Sequence, residues 1–378
     1  MNKKIAVLGA GMVGRAIAAD LSKKHSVTCV DNNTTSLLKA IQETKGEIDI
    51  VQADLTNYHT GYANLLADFD FVVSALPGFM GFNALKDIIL AKKNVVDISF
   101  FPENSLLLDD LAKENGVTAI VDAGVAPGMN NLILGRYNNQ LLIEDFKCVV
   151  GGLPKKRTYP FEYKAPFSPI DVLEEYTRPA RYVENGHIVT KPALSDSELI
   201  DFEEVGTLEA FNTDGLRSML FTMTDIPNMI EKTLRYPGHI DFIKKLIAAG
   251  FLDKTNIDVR GQQISPLDFT SRLIFDNWKL EDGEEEFTIM NIKIATPDET
   301  IEYHLYDEYD DKTQTSSMSR TTGYTCNAAL HLLIEGLFTN AGLFPLELIG
   351  PYVPCFDYML EYLRERNVIY KKTTIPKC

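Results

Sequence analysis

MNKKIAVLGAGMVGR, residues 1–15, sets a short apolar strand directly before Gly9, Gly11 and Gly14, and SVTCVDNN, residues 26–33, carries a second strand-forming stretch to Asp31. Together they read as a βαβ unit that holds a dinucleotide. Gly9 permits the tight turn, Gly11 lets backbone approach a pyrophosphate, Gly14 lets the helix pack on the strand, and the helix N-terminus faces the anion. The apolar run 5–8 before the turn and the helical spacing of Met12, Ala16, Ile17 and Leu21 after it supply the context this motif needs. Asp31 lies 22 residues past Gly9 (31 − 9), where a carboxylate accepts hydrogen bonds from the adenosine ribose and repels a 2′-phosphate. NAD is therefore expected in preference to NADP. The expected cradle is Gly9, Ala10, Gly11, Met12, Val13 and Gly14, with Asp31 and Asn32 at the ribose.

The protein has 378 residues, and a prior of roughly 150 residues per domain predicts two domains. With 45% hydrophobic and 24% charged residues it has the composition of a globular protein, and no apolar stretch approaches a membrane span. The start is basic, but Gly9, Gly11, Gly14 and Arg15 break the apolar segment that follows, so a secretory signal is not expected and a cytoplasmic location is. The five cysteines (Cys29, Cys148, Cys326, Cys355, Cys378) show no C-x-x-C pairing, which points to reduced thiols, no disulfide framework and no metal site. A net charge of −16 disfavours nucleic acid and anionic membranes, because phosphate binding needs a positive field. A small-molecule ligand is the expected partner.

After the first unit the alternation continues through IDIVQAD (48–54), DFDFVVSALPG (68–78), NVVDISF (94–100) and GVTAIVDAG (116–124), with segments of helical period between. This predicts an α/β fold, a Rossmann-type doubly wound parallel sheet. Such sheets present ligand contacts at the carboxyl ends of their strands. Asp54 and Leu55, Ala75, Leu76 and Pro77, Asp97 and Ser99, and Gly124, Pro127 and Gly128 are therefore expected to line the cofactor crevice. From about residue 143 the strand-like stretches lengthen (FKCVVGGLP, ARYVENGHIV, LEAFNTDG, FTIMNIKIA, TIEYHLYDEY), alternating apolar and polar residues as in a mostly antiparallel sheet with one covered face. Helical period returns after Tyr324, and the C-terminal part is expected to pack back on the nucleotide domain. The expected division is 1–125 plus about 325–378 for the dinucleotide domain and 126–324 for an inserted α/β substrate domain. The acidic run 281–286 reads as a solvated turn.

Eight runs in order, SALPGFMGF, DISFFPEN, VDAGVAPGMNNLILGR, VGGLPKK, EEYTRPAR, TDGLRSML, TLRYPGH and SMSRTTGYT, resemble the saccharopine dehydrogenase family over nearly the whole sequence, and its lysine 6-dehydrogenase branch most closely. The resemblance implies a Rossmann domain with an inserted substrate domain. It also implies NAD-dependent oxidation of lysine at the C–N bond of its side-chain amine, giving 2-aminoadipate 6-semialdehyde, ammonia and NADH. Saccharopine reductases of the family pattern carry Cys before the G-G-L-P turn and no His after R-Y-x-G; here Val150 and His239 stand there. Saccharopine as substrate, and a dinucleotide-binding sensor without turnover, are the alternatives.

Amine oxidation needs a hydride acceptor, an anchor for the α-carboxylate, and a base. Arg217 is the first choice of anchor, because a guanidinium grips both carboxylate oxygens, against an interdomain ion pair. Arg235 is the second choice; Arg178 and Arg181 are the third, with interdomain salt bridges the plainer role for both. His239 is one of six histidines and reads either as the base or as a cap on the helix that starts there. Asp122, before the AGVAPGM turn, reads as a site carboxylate or a cap, and Asp97 similarly. Tyr163 is expected to offer its hydroxyl in catalysis, Gly152 and Tyr324 to line the substrate pocket, and interdomain packing is the plainer role for both tyrosines. A homodimer is expected, with the apolar LFPLELIG (343–350) as a candidate interface.

Overall fold

The computed structural model describes residues 2–56, 61–281 and 283–377; Asp282 and Cys378 lie outside these. The fold begins with β1 (Lys4–Leu8), α1 (Met12–Leu21), β2 (Ser26–Asp31), α2 (Thr34–Glu43), β3 (Asp49–Gln52), α3 (Tyr62–Leu65), β4 (Phe71–Ser74), α4 (Gly78–Leu90), β5 (Asn94–Asp97), α5 (Asp109–Asn115), β6 (Thr118–Val121) and α6 (Met129–Asn138). It continues with β7 (Asp145–Pro154), α7 (Pro169–Thr177), β8 (Ala180–Glu184), β9 (His187–Lys191), β10 (Glu198–Phe202), β11 (Gly206–Asn212), α8 (Met219–Thr222), β12 (Asn228–Arg235), α9 (His239–Ala248), β13 (Ile257–Val259), β14 (Gln262–Ile264), α10 (Pro266–Trp278), β15 (Glu286–Ala295) and β16 (Glu299–Glu308). The last elements are α11 (Ser317–Ile334), β17 (Gly342–Pro345), α12 (Leu346–Ile349), α13 (Val353–Arg364) and β18 (Tyr370–Pro376).

Seven strands form a parallel sheet in the order β3-β2-β1-β4-β5-β6-β17. Its strands are apolar throughout because both faces are covered: Ile5 and Val7 join one core with α1 and α11, while Ala6 and Leu8 join the other with α4. Strand order reverses at β1, which opens a crevice between the carboxyl ends of β1 and β4.

The second sheet runs β10-β11-β12-β7-β15-β16-β18, with β8 and β9 attached beside β12. It is antiparallel except for the parallel pair β7 and β12. Contrary to the expectation of one covered face, β7 is buried on both. Val149 and Leu153 pack with residues of α7, α9 and α10, and Cys148 and Val150 pack with residues of α6, α11 and α13. The second sheet thus leans on the helices of the first.

The sheets share the C-terminal segment. α11 is one helix that crosses the expected boundary at 324/325; β17 completes the parallel sheet, and β18 returns to the second sheet beside β16. Residues 343–350 are mostly buried in the protein's own core, with Leu343, Leu346 and Ile349 enclosed, so this segment offers no apolar face to a partner. In the acidic run, Glu286 is fully buried and accepts from the backbone N–H of Ser317, while its neighbours Glu284 and Glu285 remain at the surface. Cys29, Cys148, Cys326 and Cys355 are buried free thiols. Among the described residues no helix is long and apolar enough to cross a membrane.

Candidate functional site

The site is a cavity of about 580 Å³ between the two sheets. One end is the glycine turn. Gly9 has φ +101°, and a Cβ there would lie 2.4 Å from the carbonyl oxygen of Ala75; a Cβ on Gly14 would lie 2.0 Å from the carbonyl oxygen of Gly9. At Gly11 a Cβ would meet nothing within 4 Å, so this backbone faces open cavity. Two glycines are thus required by packing, and the third leaves room at the start of α1, where backbone N–H groups and the helix dipole favour an anion. Residues and space fit the pyrophosphate of a dinucleotide.

Asp31 lines the same end and braces the turn: Oδ2 accepts from Ala10 N at 2.7 Å and Oδ1 from Asn33 N at 2.8 Å. Arg15, the cation among the lining residues here, is held by Glu43 (2.8 Å) and donates to the carbonyl of Ala10 (3.2 Å). Asn32, Asp54, Leu55, Ala75, Leu76, Pro77, Gly124 and Pro127, with Met12 and Val13, line the wall of this cavity. Four expected residues do not. Ala10 acts through its N–H to Asp31. Gly128 supports the turn from behind, where a Cβ would overlap the carbonyl of Gly124. Asp97 and Ser99 bond each other beneath the surface, Ser99 donating to Asp97 from N (2.9 Å) and Oγ (3.0 Å), and burial lifts the Asp97 carboxyl to about 7. Ile98 and Phe100 face the cavity in their place, as strand alternation requires.

The other end is built by α7, β7, the turn after β11, and β12. Val150, Gly151 and Gly152 of β7 line it beside Asp171, Glu175, Thr213, Gly215, Glu231, Thr233 and Arg235. Arg235, 2% exposed, donates through Nη2 to Glu175 (2.9 Å), through Nη1 to the carbonyl of Leu234 (2.9 Å) and through Nε to the Tyr176 hydroxyl (2.9 Å). A guanidinium has five N–H donors, so two remain. Glu231 accepts from Thr213 Oγ1 at 2.7 Å, and burial lifts its carboxyl to about 8, aided by the nearby carboxylates of Glu175 and Asp214. Asp171 Oδ1 accepts from Gly78 N (3.3 Å), tying α7 to the start of α4 across the crevice.

Several expected substrate residues lie elsewhere. Arg217 Nε and Asp122 Oδ1 bond each other at 2.8 Å, both buried and outside the cavity lining, and Ser218 Oγ holds the second oxygen of Asp122 at 3.1 Å. The interdomain ion pair is thus the role both take. His239 sits behind Arg235 with its ring fully engaged. Since Arg235 donates to Tyr176, the Tyr176 O–H is directed to His239 Nε2 (3.0 Å), which leaves Nδ1–H to donate to the carbonyl of Phe161 (2.8 Å). Burial and the Arg235 charge press the ring down to about 3, so it is neutral and not a base at neutral pH. The Tyr163 ring stacks under Arg235 (4.3 Å) and against Trp278 (5.4 Å) without lining the cavity. Tyr324 lies between Arg320 (5.8 Å) and Arg366 (5.9 Å) and does not line the cavity, although Thr322 on the same helix does. Arg181 pairs with Asp214 (2.8 Å) and Arg178 with Glu174 (3.5 Å).

The acids and hydroxyls of the substrate end that sequence reading missed are Asp171, Glu175, Glu231, Thr213 and Thr233. A signal existed for two of them. In NMIEKTLR of β12, polar residues recur at 231, 233 and 235, a period of two that puts acid, hydroxyl and guanidinium on one strand face. Glu175 lies inside the EEYTRPAR run, but nothing local shows that it turns toward Arg235.

Residues 5–120 match the family model described as the saccharopine dehydrogenase NADP binding domain, and residues 124–369 that of the saccharopine dehydrogenase C-terminal domain. Over 266 residues the protein is 27% identical to the saccharopine dehydrogenase [NADP(+), L-glutamate-forming] of Pyricularia oryzae, a match over 66% of its own length and 58% of that relative's. Over 280 residues it is 23% identical to the mitochondrial alpha-aminoadipic semialdehyde synthase of Rattus norvegicus, a match over 70% of its own length but 30% of that relative's. The apo saccharopine dehydrogenase (L-Glu forming) of Saccharomyces cerevisiae has the same fold, with TM-score 0.79 at 19% identity over 99% of this protein and 100% of that one. The homospermidine synthase of Legionella pneumophila, solved with NAD, matches with TM-score 0.72 at 13% identity over 100% of this protein and 92% of that one.

Proposed function

The protein belongs to the saccharopine dehydrogenase family, and we propose that it is an NAD-dependent dehydrogenase that oxidises L-lysine at the C–N bond of the side-chain amine. The observation that carries this reading is the charge at the substrate end of the cavity. Asp171, Glu175 and Glu231 line it against one guanidinium, Arg235, which Glu175 already pairs. Such a wall attracts an ammonium group. Lysine brings two ammonium groups and a single carboxylate, for which Arg235 keeps two free N–H donors. Saccharopine brings three carboxylates, and among the described residues this end of the cavity supplies no second cation for them.

The glycine turn and the strand ends hold the dinucleotide, which supplies the hydride acceptor when bound. Asp31 at the ribose end and the restraint of Arg15 by Glu43 favour NAD over NADP, since neither welcomes a 2′-phosphate. Arg235 anchors the α-carboxylate, and Val150 with the two following glycines gives the substrate methylenes a close-packed wall. Carboxylates of the wall hold the reacting nitrogen, and the oxidised product adds water and releases ammonia.

The test is direct. The purified protein with lysine and NAD at alkaline pH should raise NADH absorbance and release ammonia in equal amounts, with lower kcat/KM on saccharopine and with NADP. A flat NADH signal with lysine removes the proposal.

A further inference from the structure

Resting on the amine-oxidation reading above, we propose that Glu231 is the catalytic base, the group that takes the proton from the substrate's reacting ammonium.

Of the acids at the substrate end, Glu175 is paired with Arg235 at 2.9 Å and Asp171 bonds Gly78 N at 3.3 Å. Glu231 has no ion-pair partner among the described residues; its one hydrogen bond is from Thr213. Thr213 has a single proton, given to Glu231, so its 2.9 Å contact with Thr233 is a bond that Thr233 donates. The two hydroxyls thus form a directed row along the wall ending on Oε2, and Oε1 accepts no hydrogen bond from the described residues. Gly215 makes room for the carboxyl, since a Cβ there would fall 2.0 Å from Oε2. Groups facing Glu231 from neighbouring elements are Glu175 of α7, Asp214 of the turn after β11, Arg235 on its own strand and the neutral Cys148 thiol across from it on β7. Asp214 is neutralised by Arg181, and Arg235 by Glu175.

A carboxyl lifted to about 8 stands closer to an alkylammonium, near 10.4, than an ordinary Glu near 4.3 does, and the proton transfer is correspondingly less uphill. The N–H bond breaks, the proton goes to Glu231, and the nitrogen keeps the electron pair. That pair forms the C=N bond as the hydride leaves the neighbouring carbon for the oxidised dinucleotide. On strand β12, Glu231 and Arg235 are four residues apart on one face, about 13 Å between backbones, so the base and the carboxylate anchor stand at separate points of the same wall.

The experiment compares the full-length protein with Glu231→Gln and Glu231→Asp. Lysine is titrated calorimetrically into the NADH complex at pH 7 in two buffers of different ionisation enthalpy, and kcat and kcat/KM are measured with NAD across pH. In the unsubstituted protein about one proton should leave per lysine bound, because the neutral carboxyl ionises against the ammonium, and kcat/KM, which reports the free protein, should inflect near pH 8. Glu231→Gln should abolish the release and lower kcat by about 100-fold or more, with NADH affinity unchanged. Glu231→Asp should keep the release but lose about tenfold in kcat, which guards against a misfolded Gln variant. Retained release in the Gln variant, or full kcat with an unmoved inflection in the Asp variant, overturns the proposal. If lysine is not oxidised but butylamine or putrescine is, with a proton release on binding and a kcat that are both abolished by Glu231→Gln, the lysine reading fails and the assignment of Glu231 stands.

Discussion

Asp122 and Arg217 bond each other at 2.8 Å although both hold left-handed backbone, φ 51° and φ 48°. Each residue sits in a conformation that costs about 1 kcal/mol or more, one beyond the end of β6 and the other before α8, so that two side chains from different domains can meet in a buried place. The Arg217 guanidinium also donates to the carbonyl of Phe101 and stacks on Phe100 (4.8 Å), which itself lines the cavity. The pair is a clasp between domains, set beside the site and outside it.

Arg217→Ala should therefore unfold more easily, by roughly 3–5 kcal/mol, because it leaves the Asp122 carboxylate buried without its cation. In urea titrations, Asp122→Asn combined with Arg217→Met should lose less than the sum of the two single changes. A stable Arg217→Ala whose KM for lysine alone rises would place this residue at the substrate instead.

Gly11 and Gly14 should separate binding from folding. Alanine at Gly14 puts a Cβ 2.0 Å from the carbonyl oxygen of Gly9 and should lower the melting temperature markedly. Alanine at Gly11 meets nothing within 4 Å, and the residue's φ of −66° suits it, so the protein should melt unchanged. The added methyl occupies the backbone approach to the pyrophosphate, so NADH affinity, followed by fluorescence, should fall by tenfold or more. Equal melting losses would refute this division of roles.

What was legible in the sequence follows from range. Gly9, Gly11, Gly14 and Asp31 act within one βαβ unit, so their spacing in the sequence determines their geometry. The strand ends were legible too, because a parallel sheet delivers them to one crevice. Arg217, His239 and Asp122 were not. Each has the chemistry of a site residue, and only packing between elements far apart in sequence shows that Arg217 meets Asp122 and that His239 stands two hydrogen bonds behind Arg235 through Tyr176. The period-two polar row of β12 was readable in principle, but Lys232, between Glu231 and Thr233, blurs the alternation.

His239 should govern acid stability and leave the catalytic pH inflection in place. Its value in the folded state is about 3 against an ordinary 6.5, so between these the unfolded state binds the extra proton. Its contribution is intact above about pH 6.5 and is lost as pH falls toward 3, by up to about 1.4 kcal/mol per pH unit. His239→Asn should flatten that slope in unfolding experiments from pH 4 to 7. A shift of the inflection near pH 8 in this variant would return His239 to the chemistry.

The dinucleotide preference should rest on two carboxylates. Asp31→Ser removes the charge that repels a 2′-phosphate, and Glu43→Ala frees Arg15 to meet one. The double variant should change the ratio of kcat/KM for NAD over NADP by at least tenfold toward NADP, more than either single change. A ratio that does not move would take both residues out of cofactor selection.

Arg235 bonds in two directions, and a substitution can separate them. Three of its N–H groups brace Glu175, Tyr176 and the carbonyl of Leu234, and the residue also lines the cavity. Arg235→Lys keeps the charge but cannot make the three braces and still offer a fork to a carboxylate. KM for lysine should rise at least tenfold while KM for NAD stays within about twofold, since the nucleotide end is built on separate elements. The amine lacking a carboxylate, cadaverine, discriminates further: its kcat/KM should be low in the unsubstituted enzyme and nearly unaffected by Arg235→Lys. If cadaverine and lysine lose activity equally, the residue acts on the shape of the wall through Glu175 and Tyr176, and the carboxylate must be held elsewhere.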